Sequence, residues 1–240
     1  MRLLAIVPAF NEAQNLPHVL EALGKVPGCD VCVVDDGSAD ETAKVAASLG
    51  ARVLRLSVNL GIGGAVQTGF RWAFAKGYDV AVQVDGDDQH DPAWLPALLA
   101  PLAAGRADLV VGSRFLGGDG AGFQSTAVRR VGIRYLSLLL RLRSGVRVTD
   151  PTSGFRAANR RAIELFARHY PSDYPEPEAV AIAARSGLRV LEVPVQMRPR
   201  RHGRSSIGAA ATAYYFAKLS VGILLLPARE RPGHDDGVSA

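Results

Sequence analysis

Cysteine is scarce. The chain has two thiols in 240 residues, Cys29 and Cys32, too few for a disulfide framework. Their C-x-x-C spacing admits redox chemistry, but Cys32 lies inside the apolar run 31–34, where a small buried side chain filling a strand is expected. So little cysteine fits a reducing compartment. Aromatics make up 7% of the chain, and lysine nearly vanishes, since 24 of the 28 basic residues are arginine. High-GC codon usage produces such a bias without any functional cause. No internal repeat is present. The first apolar run, residues 3–7, is short and no small-residue cleavage site follows it, so the expectation is that it is not a signal peptide. A compact basic and aromatic surface pattern is also missing, which removes nucleic acid from the expected partners.

What is there is ordinary globular material. Hydrophobic residues make 48% and charged residues 21% of the sequence, which excludes a disordered chain. A chain of 240 residues buries a sizeable core without disulfides or structural metal. The net charge of +5 suits an anionic partner, such as a nucleotide or a phospholipid surface.

The first half alternates strand and helix patterns. Apolar runs at 3–7 (stopped by Pro8), 30–34, 52–56, 80–84 and 109–111 read as strands. Helical spacing occupies 16–23, 40–49, 64–75 and about 93–104. The alternation predicts a mainly parallel sheet with helices on both faces, and the continuous apolar strands agree. In the second half, 117–122 is a Gly-rich loop, 128–143 carries leucines at helical spacing among arginines, and 150–155 is a polar turn. Helices are expected at about 159–168 and from Pro175 onward, with a strand at 188–195. The chain divides into a domain over 1–206, an apolar helix over 207–227 that suits a membrane interface, and a disordered tail over 228–240.

Ligands of such sheets sit beyond the carboxyl ends of the strands. There the sequence places Pro8-Ala9-Phe10-Asn11-Glu12, Asp35-Asp36-Gly37-Ser38, Asn59-Leu60-Gly61-Ile62-Gly63-Gly64, Asp85-Gly86-Asp87-Asp88-Gln89 and Gly112-Ser113-Arg114. Each is compatible with turn chemistry; five on one rim point to a ligand. Asp85 and Asp87, one residue apart, can share a Mg²⁺ or Mn²⁺ with substrate phosphates, and Gln89 can add a neutral oxygen. Gly86 would let a bulky ligand approach the backbone. Asp36 can accept hydrogen bonds from a base or ribose, while Ser38 or Asp40 caps the next helix. The glycines at 61–64 break the dinucleotide fingerprint, since Val66 stands where its last glycine belongs, and are read as close helix packing.

Together these motifs resemble family 2 glycosyltransferases of the GT-A fold, in their dolichyl-phosphate mannosyltransferase-like branch. The matching residues are Pro8, Asn11 and Glu12; Asp35 to Ser38; Asp85, Asp87 and Gln89; Gly112 to Arg114; Thr152 to Arg156; and Arg200, Gly203 and Ser205. Ile62 and Ser206 stand where relatives often carry lysine. The resemblance implies a Rossmann-like α/β sheet, mixed but mainly parallel, and an inverting transfer from a GDP- or UDP-sugar. It implies metal held by Asp85, Asp87 and Gln89. The implied donor site comprises Pro8, Phe10, Glu12, Val34, Asp36, Asp85, Gly86, Asp87, Arg114 and Arg200. Asp87, Arg114 and Glu178 are the candidate catalytic residues, with Glu178 preferred over Glu176 as a general base should the acceptor be a hydroxyl.

The expected acceptor is a polyprenyl phosphate in cell-envelope glycan or glycoprotein synthesis. A glycan or small-molecule hydroxyl is the alternative, and a non-catalytic sugar-nucleotide-binding subunit the third reading. The basic helix 128–143 and the stretch 207–226, with its Tyr214-Tyr215-Phe216 cluster, suggest peripheral attachment to the cytoplasmic face of a membrane. A homo-oligomer is compatible with the same apolar stretch.

Overall fold

The computed structural model describes residues 1–116, 127–199, 216 and 218–224. The Gly-rich loop at 117–122, Arg200, Gly203, Ser205, most of the 207–227 stretch and the tail from 228 lie outside the described residues.

The sheet has seven strands: β1 (Leu3–Ala9), β2 (Cys29–Asp35), β3 (Arg52–Arg55), β4 (Val80–Gln83), β5 (Leu109–Ser113), β6 (Arg156–Asn159) and β7 (Val190–Pro194), in the order β3-β2-β1-β4-β6-β5-β7. All pairings are parallel except those of β6, which runs against both β4 and β5. The sequence reading missed β6. Four residues following a polar turn and leading into a helix carry no periodicity of their own, and cross-strand pairing decides their conformation.

β1 also outruns its expected end. It continues through Pro8 to Ala9, because only the β2 side still pairs there: the β1–β4 ladder stops at Ile6, while Pro8 remains opposite Val34. A residue without an N–H fits a strand position where one flank needs no donor.

Alternate residues of the central strands feed two cores. Leu3, Ala5 and Val7 join Val33, Val82 and Val110 under α1 (Leu16–Gly24), α2 (Thr42–Ser48) and α4 (Leu95–Ala103). Leu4, Ile6, Cys32 and Ala81 join the opposite layer with α3 (Gly61–Ala75), α6 (Arg160–Arg168) and α7 (Pro175–Arg185). A third, smaller cluster packs α5 (Ala127–Ser144) against α7 and the helical residues 218–224, through Leu136, Leu140, Val180, Leu219 and Ile223. Gly69 is the position where α3 meets the sheet: a Cβ there would lie 2.2 Å from Ile6 Cγ2. Gly63 instead faces the carbonyls of Pro171 and Ser172, and a Cβ there would stand only 2.1 and 2.2 Å from them. The glycine run therefore fits α3 to the loop before α7 rather than to the sheet. Cys32 is fully buried, and burial lifts its thiol to about 12 and that of Cys29 to about 11, so both act as packing residues.

At the end of the sheet away from the candidate rim, Asp108 joins three strands. Its carboxylate accepts from Arg189 N at 2.8 Å, Asn159 Nδ2 at 2.8 Å and Arg189 Nε at 3.1 Å, with Arg161 Nη1 at 3.3 Å. Burial alone would raise this carboxyl, but the hydrogen bonds from Arg189 and Asn159 and the charge of Arg161 outweigh it and hold it well below the usual range. A carboxyl depressed in the folded state contributes its stability above an unfolded value near 3.9 and loses it as pH falls through the folded value. Asp108→Ala is expected to cost about 2–3 kcal/mol at pH 7. Urea midpoints of parent and variant should converge as pH is lowered from 5 towards 2.

Candidate active site

β1, β2, β4 and β5 end on one rim, and the reversed β6 begins there, so residues 150–155 join the same rim from the opposite chain direction. Phe155 O receives the Gly112 N–H at 2.8 Å, locking that loop to the end of β5.

At the end of β1, Phe10 is exposed and Asn11 adopts a left-handed φ of 56°. Asn tolerates this region, and its side chain makes the turn useful: Asn11 Oδ1 accepts the Ala39 N–H at 2.9 Å while Asn11 N donates to Ser38 Oγ at 2.9 Å. The first and second rim loops are thereby sewn together. Glu12 accepts from Asn15 Nδ2 at 2.6 Å and sits at the start of α1. Glu41 is the N-cap of α2, so neither Ser38 nor Asp40 takes that position; Asp40, just ahead of it, accepts the Thr42 N–H at 3.0 Å and the Ala13 N–H at 3.2 Å, whereas Ser38 serves Asn11. Asp36 is buried and its Oδ1 accepts the Leu60 N–H at 2.7 Å, which ties β2 to the start of α3. Burial raises its carboxyl, with the Leu60 and Gly61 amides opposing. Two further members of the expected donor set, Val34 and Gly86, are buried with no side-chain polar group to offer. Val34 is fully buried in the core, which leaves its backbone alone for a ligand. Gly86 is tight against the first rim loop, where a Cβ would meet Pro8 O at 3.0 Å. The small residue is needed for chain against chain.

The centre of the rim is the turn after β4. Asp85 Oδ1 accepts from Gln83 Nε2 at 3.0 Å, and Asp85 N donates to His90 Nδ1 at 2.9 Å. Asp87 Oδ1 accepts the Gln89 N–H at 3.1 Å. Asp88 has φ 64° and faces Arg198 Nη1 at 3.4 Å. From the other side, Gly154 comes so close that a Cβ would stand 2.9 Å from both Asp85 Oδ2 and Gln83 Nε2. Only glycine lets the 150–155 loop reach the carboxylate.

Arg114 is buried and its guanidinium lies in a bidentate pair with Asp150: Nε to Oδ2 at 2.6 Å and Nη2 to Oδ1 at 2.7 Å, with Nη2 also 2.9 Å from Thr152 Oγ1. Its charge is matched within the chain, and its evident task is to hold the 150–155 loop. Arg156, also buried, donates to Ser153 O at 2.7 Å and Pro151 O at 2.8 Å.

The two glutamates of α7 separate. Residues two apart on a helix point to nearly opposite sides. Glu176 belongs to the rim: burial raises its carboxyl, and Arg156, Asp85 and Arg114 are the charges that act on it. Tyr170, raised by its burial, feels Arg156, Glu176 and Asp85 in turn. Glu178 belongs elsewhere. Burial raises it too, but its charged neighbours are Lys218 and Asp173, and its carboxylate lies against Gly222, where a Cβ would be 2.3 Å from Oε1. Of the two, Glu176 is the one set among the charges of the acidic rim, and Glu178, the candidate base, is set among Lys218 and Asp173. Sequence reasoning also passed over Gln83, His90 and Asp150. A signal existed for Gln83, a lone amide in an apolar strand, and for His90, the last residue of the acidic turn.

The donor chemistry fits a hard divalent cation. Asp85 and Asp87 offer carboxylate oxygens one residue apart, and Mg²⁺ and Mn²⁺ take such oxygens together with phosphate and water. Among the described residues no cluster of three or more His, Cys, Asp or Glu adds to them.

The acidic rim lies beyond the carboxyl ends of the strands of a doubly covered sheet, where α/β proteins bind their ligands. The chain belongs to glycosyl transferase family 2, whose profile matches residues 4–166. It is 38% identical over 216 residues to an undecaprenyl-phosphate mannosyltransferase of Micrococcus luteus, spanning 86% of this chain and 88% of that one. It is 32% identical over 222 residues to a polyprenol monophosphomannose synthase of Mycolicibacterium smegmatis, spanning 87% and 82%. Glucosyl-3-phosphoglycerate synthase of Mycobacterium tuberculosis, solved with Mn²⁺ and uridine-diphosphate-glucose, superposes with a TM-score of 0.71 at 24% identity over 94% of this chain and 80% of that one. The fold is thus the GT-A arrangement that the motifs implied.

If Arg114 acts on the loop through Asp150, removing it strands a buried carboxylate. Arg114→Ala should cost about 3–5 kcal/mol, the range for breaking a buried pair. Adding Asp150→Ala should recover part of that loss, and denaturant unfolding of the two single variants and the double variant measures the coupling.

Proposed function

We propose that this chain transfers a sugar, with inversion at its anomeric carbon, from a GDP- or UDP-sugar to a polyprenyl phosphate during cell-envelope glycan or glycoprotein synthesis. The observation that carries this reading is the 38% identity, across most of both chains, to a protein named undecaprenyl-phosphate mannosyltransferase, joined to the carboxylate pair at the end of β4.

Asp85 and Asp87, with Gln89 as a neutral third donor, would hold Mg²⁺ or Mn²⁺. Bound there, the ion neutralises charge developing on the departing diphosphate. The exposed ring of Phe10 offers a surface for the base, and Asp36 and Glu12 fix the walls around it. Pro8, Val34 and Gly86 shape the floor through their backbones. Arg114 keeps the 150–155 loop against the donor, and Arg200 adds positive charge towards the phosphates. A lipid phosphate attacks as an anion, so no group need remove a proton.

Glu176 favours a second reading. A hydroxyl acceptor requires a base, and a carboxyl raised by burial beside Asp85 suits that task. Transfer assays with polyprenyl phosphate separate the two. Asp87→Ala should lower turnover at least about a hundredfold, beyond what loss of a merely supporting group costs, while leaving the melting temperature near the parent's. Glu176→Gln should retain most activity on the lipid phosphate; a loss of about 10²–10⁴-fold would favour the hydroxyl acceptor.

Membrane attachment has its own support. The outer face of α5 carries Val131 (66% exposed), Tyr135 (45%), Leu138 (54%) and Leu142 (73%), at spacings of four, three and four residues. Exposed Arg130, Arg134, Arg141 and Arg143 accompany them. Tyr135 Oη donates to Ser220 Oγ at 3.0 Å and Arg143 Nη2 to Leu224 O at 2.6 Å, which brings exposed Val221 and Leu224 alongside. Among the described residues no helix is long and apolar enough to cross a membrane. Arginines over an apolar stripe suit an anionic lipid surface at the cytoplasmic face. Co-sedimentation with vesicles should rise with anionic lipid content, weaken with salt, and drop for Leu138→Glu with Leu142→Glu. Equal sedimentation of that variant would remove α5 from the contact.

A further inference from the structure

We propose that His90 is a positioning residue that sets the Asp85 carboxylate for the cation, a role resting on the metal reading given above. His90 is 3% exposed, and both of its ring nitrogens address Asp85. Nδ1 accepts the Asp85 backbone N–H at 2.9 Å, and Nε2 stands 3.6 Å from Asp85 Oδ2. A ring that accepts at Nδ1 carries its proton on Nε2, so the nitrogen turned to the carboxylate is a donor. On the other side Gln83 Nε2 donates to Oδ1 at 3.0 Å. Oδ1 is therefore hydrogen-bonded by Gln83 and the backbone N–H by His90, with the imidazole Nε2 near Oδ2 but beyond hydrogen-bond distance, while the Asp85 side chain keeps 33% of its surface open.

The imidazole is itself fixed from three directions. It stacks on Phe155 at 4.8 Å with 11° between the planes. Its backbone bridges to Met197. Arg198 clamps the turn around it, through Asp91 Oδ1 at 2.8 Å, Asp88 Oδ1 at 3.4 Å and Gln89 O at 2.9 Å from its own N–H. His90 thus stands where the acidic turn, the 150–155 loop and the chain leaving β7 meet. A ligating carboxylate whose backbone and side chain are both held by outer contacts presents its oxygens in one orientation. Removing such a support typically costs 10–100-fold in metal affinity. Without the two His90 nitrogens, Asp85 keeps only the Gln83 amide and its backbone loses the acceptor that closes the turn.

The test is Mn²⁺ binding to the full chain, followed by electron paramagnetic resonance with inorganic pyrophosphate present as the diphosphate probe. His90→Phe keeps a ring on Phe155 and removes both nitrogens. Its Mn²⁺ affinity should fall about 10–100-fold with the melting temperature near the parent's, and turnover lost at low Mn²⁺ should return at high Mn²⁺. His90→Asn keeps an acceptor near the Nδ1 position and loses Nε2, so a smaller loss of roughly three- to tenfold is expected. Should His90→Phe fail to fold, His90→Asn decides alone. A folded variant with unchanged Mn²⁺ affinity, or a turnover loss that excess Mn²⁺ does not restore, overturns the positioning role. A parent chain that binds no Mn²⁺ overturns the metal reading together with it.

Discussion

β6 runs against its neighbours β4 and β5, so the chain enters it from the rim at which the parallel strands finish. In an all-parallel sheet, residues 150–155 would lie at the far end, a strand's length from the acidic turn. The reversal instead sets Gly154 against the Asp85 carboxylate and Phe155 against His90. Two chain segments about seventy residues apart in sequence are thereby packed against each other on one rim. The pairing of Gln83 with Arg156 across the β4–β6 ladder fixes their relative height. A one-residue slip of β6 would turn Arg156 to the face opposite Gln83.

A wall built from a loop needs anchoring, and here the anchoring is ionic and buried. Asp150 receives Arg114 in three hydrogen bonds, two from the guanidinium and one from the backbone N–H, and Glu192 of β7 accepts the Thr149 and Asp150 N–H groups at 2.6 and 2.8 Å. Glu192 is raised by burial, with those same amides opposing. Such a network adds little net stability over an apolar replacement, but its loss is costly, since each partner left behind is an unpaired buried group. What it supplies is a single loop conformation. The same logic explains why a motif arginine at the rim has its own charge matched inside the protein: Arg114 holds the 150–155 loop through Asp150.

The sequence made the parallel part of the sheet legible because buried parallel strands are continuous apolar runs, and 3–7, 30–34 and 80–84 are such runs. It made the acidic turn legible because carboxylates directly after such a run have no packing reason to be there. It could not reveal β6, whose four residues owe their conformation to two neighbours. It preferred Glu178 to Glu176, but which of them faces the acidic turn depends on the helix's rotation about its axis, since both are acidic and both lie in the first turn of α7. That rotation is set by Val180 packing towards α5 and Ala179 and Ala183 packing towards the sheet. Arg114 was legible as important and illegible in role, because its partner Asp150 lies thirty-six positions away.

The separation of the two glutamates also links the rim to the outer surface. One turn of α7 sends Glu176 towards Asp85 and Arg156 and Glu178 towards Gly222 and Lys218. Lys218 is paired with Asp173, just ahead of the same turn. The helical residues 218–224 thus rest on α7 within one helical turn of the acidic rim, and on α5 through Tyr135 and Arg143. α5 is apolar on both sides: Ile133, Leu136 and Leu140 face inward, and Val131, Leu138 and Leu142 outward. A helix with one face in the core transmits the position of whatever holds its other face. On the proposed reading, a bilayer contacting that outer stripe would hold the cleft at a defined height above the lipid. A polyprenyl phosphate, whose chain stays in the membrane, could then present only its headgroup to the donor. Selection of the acceptor would follow from the orientation of the whole domain, with few contacts to the lipid chain itself.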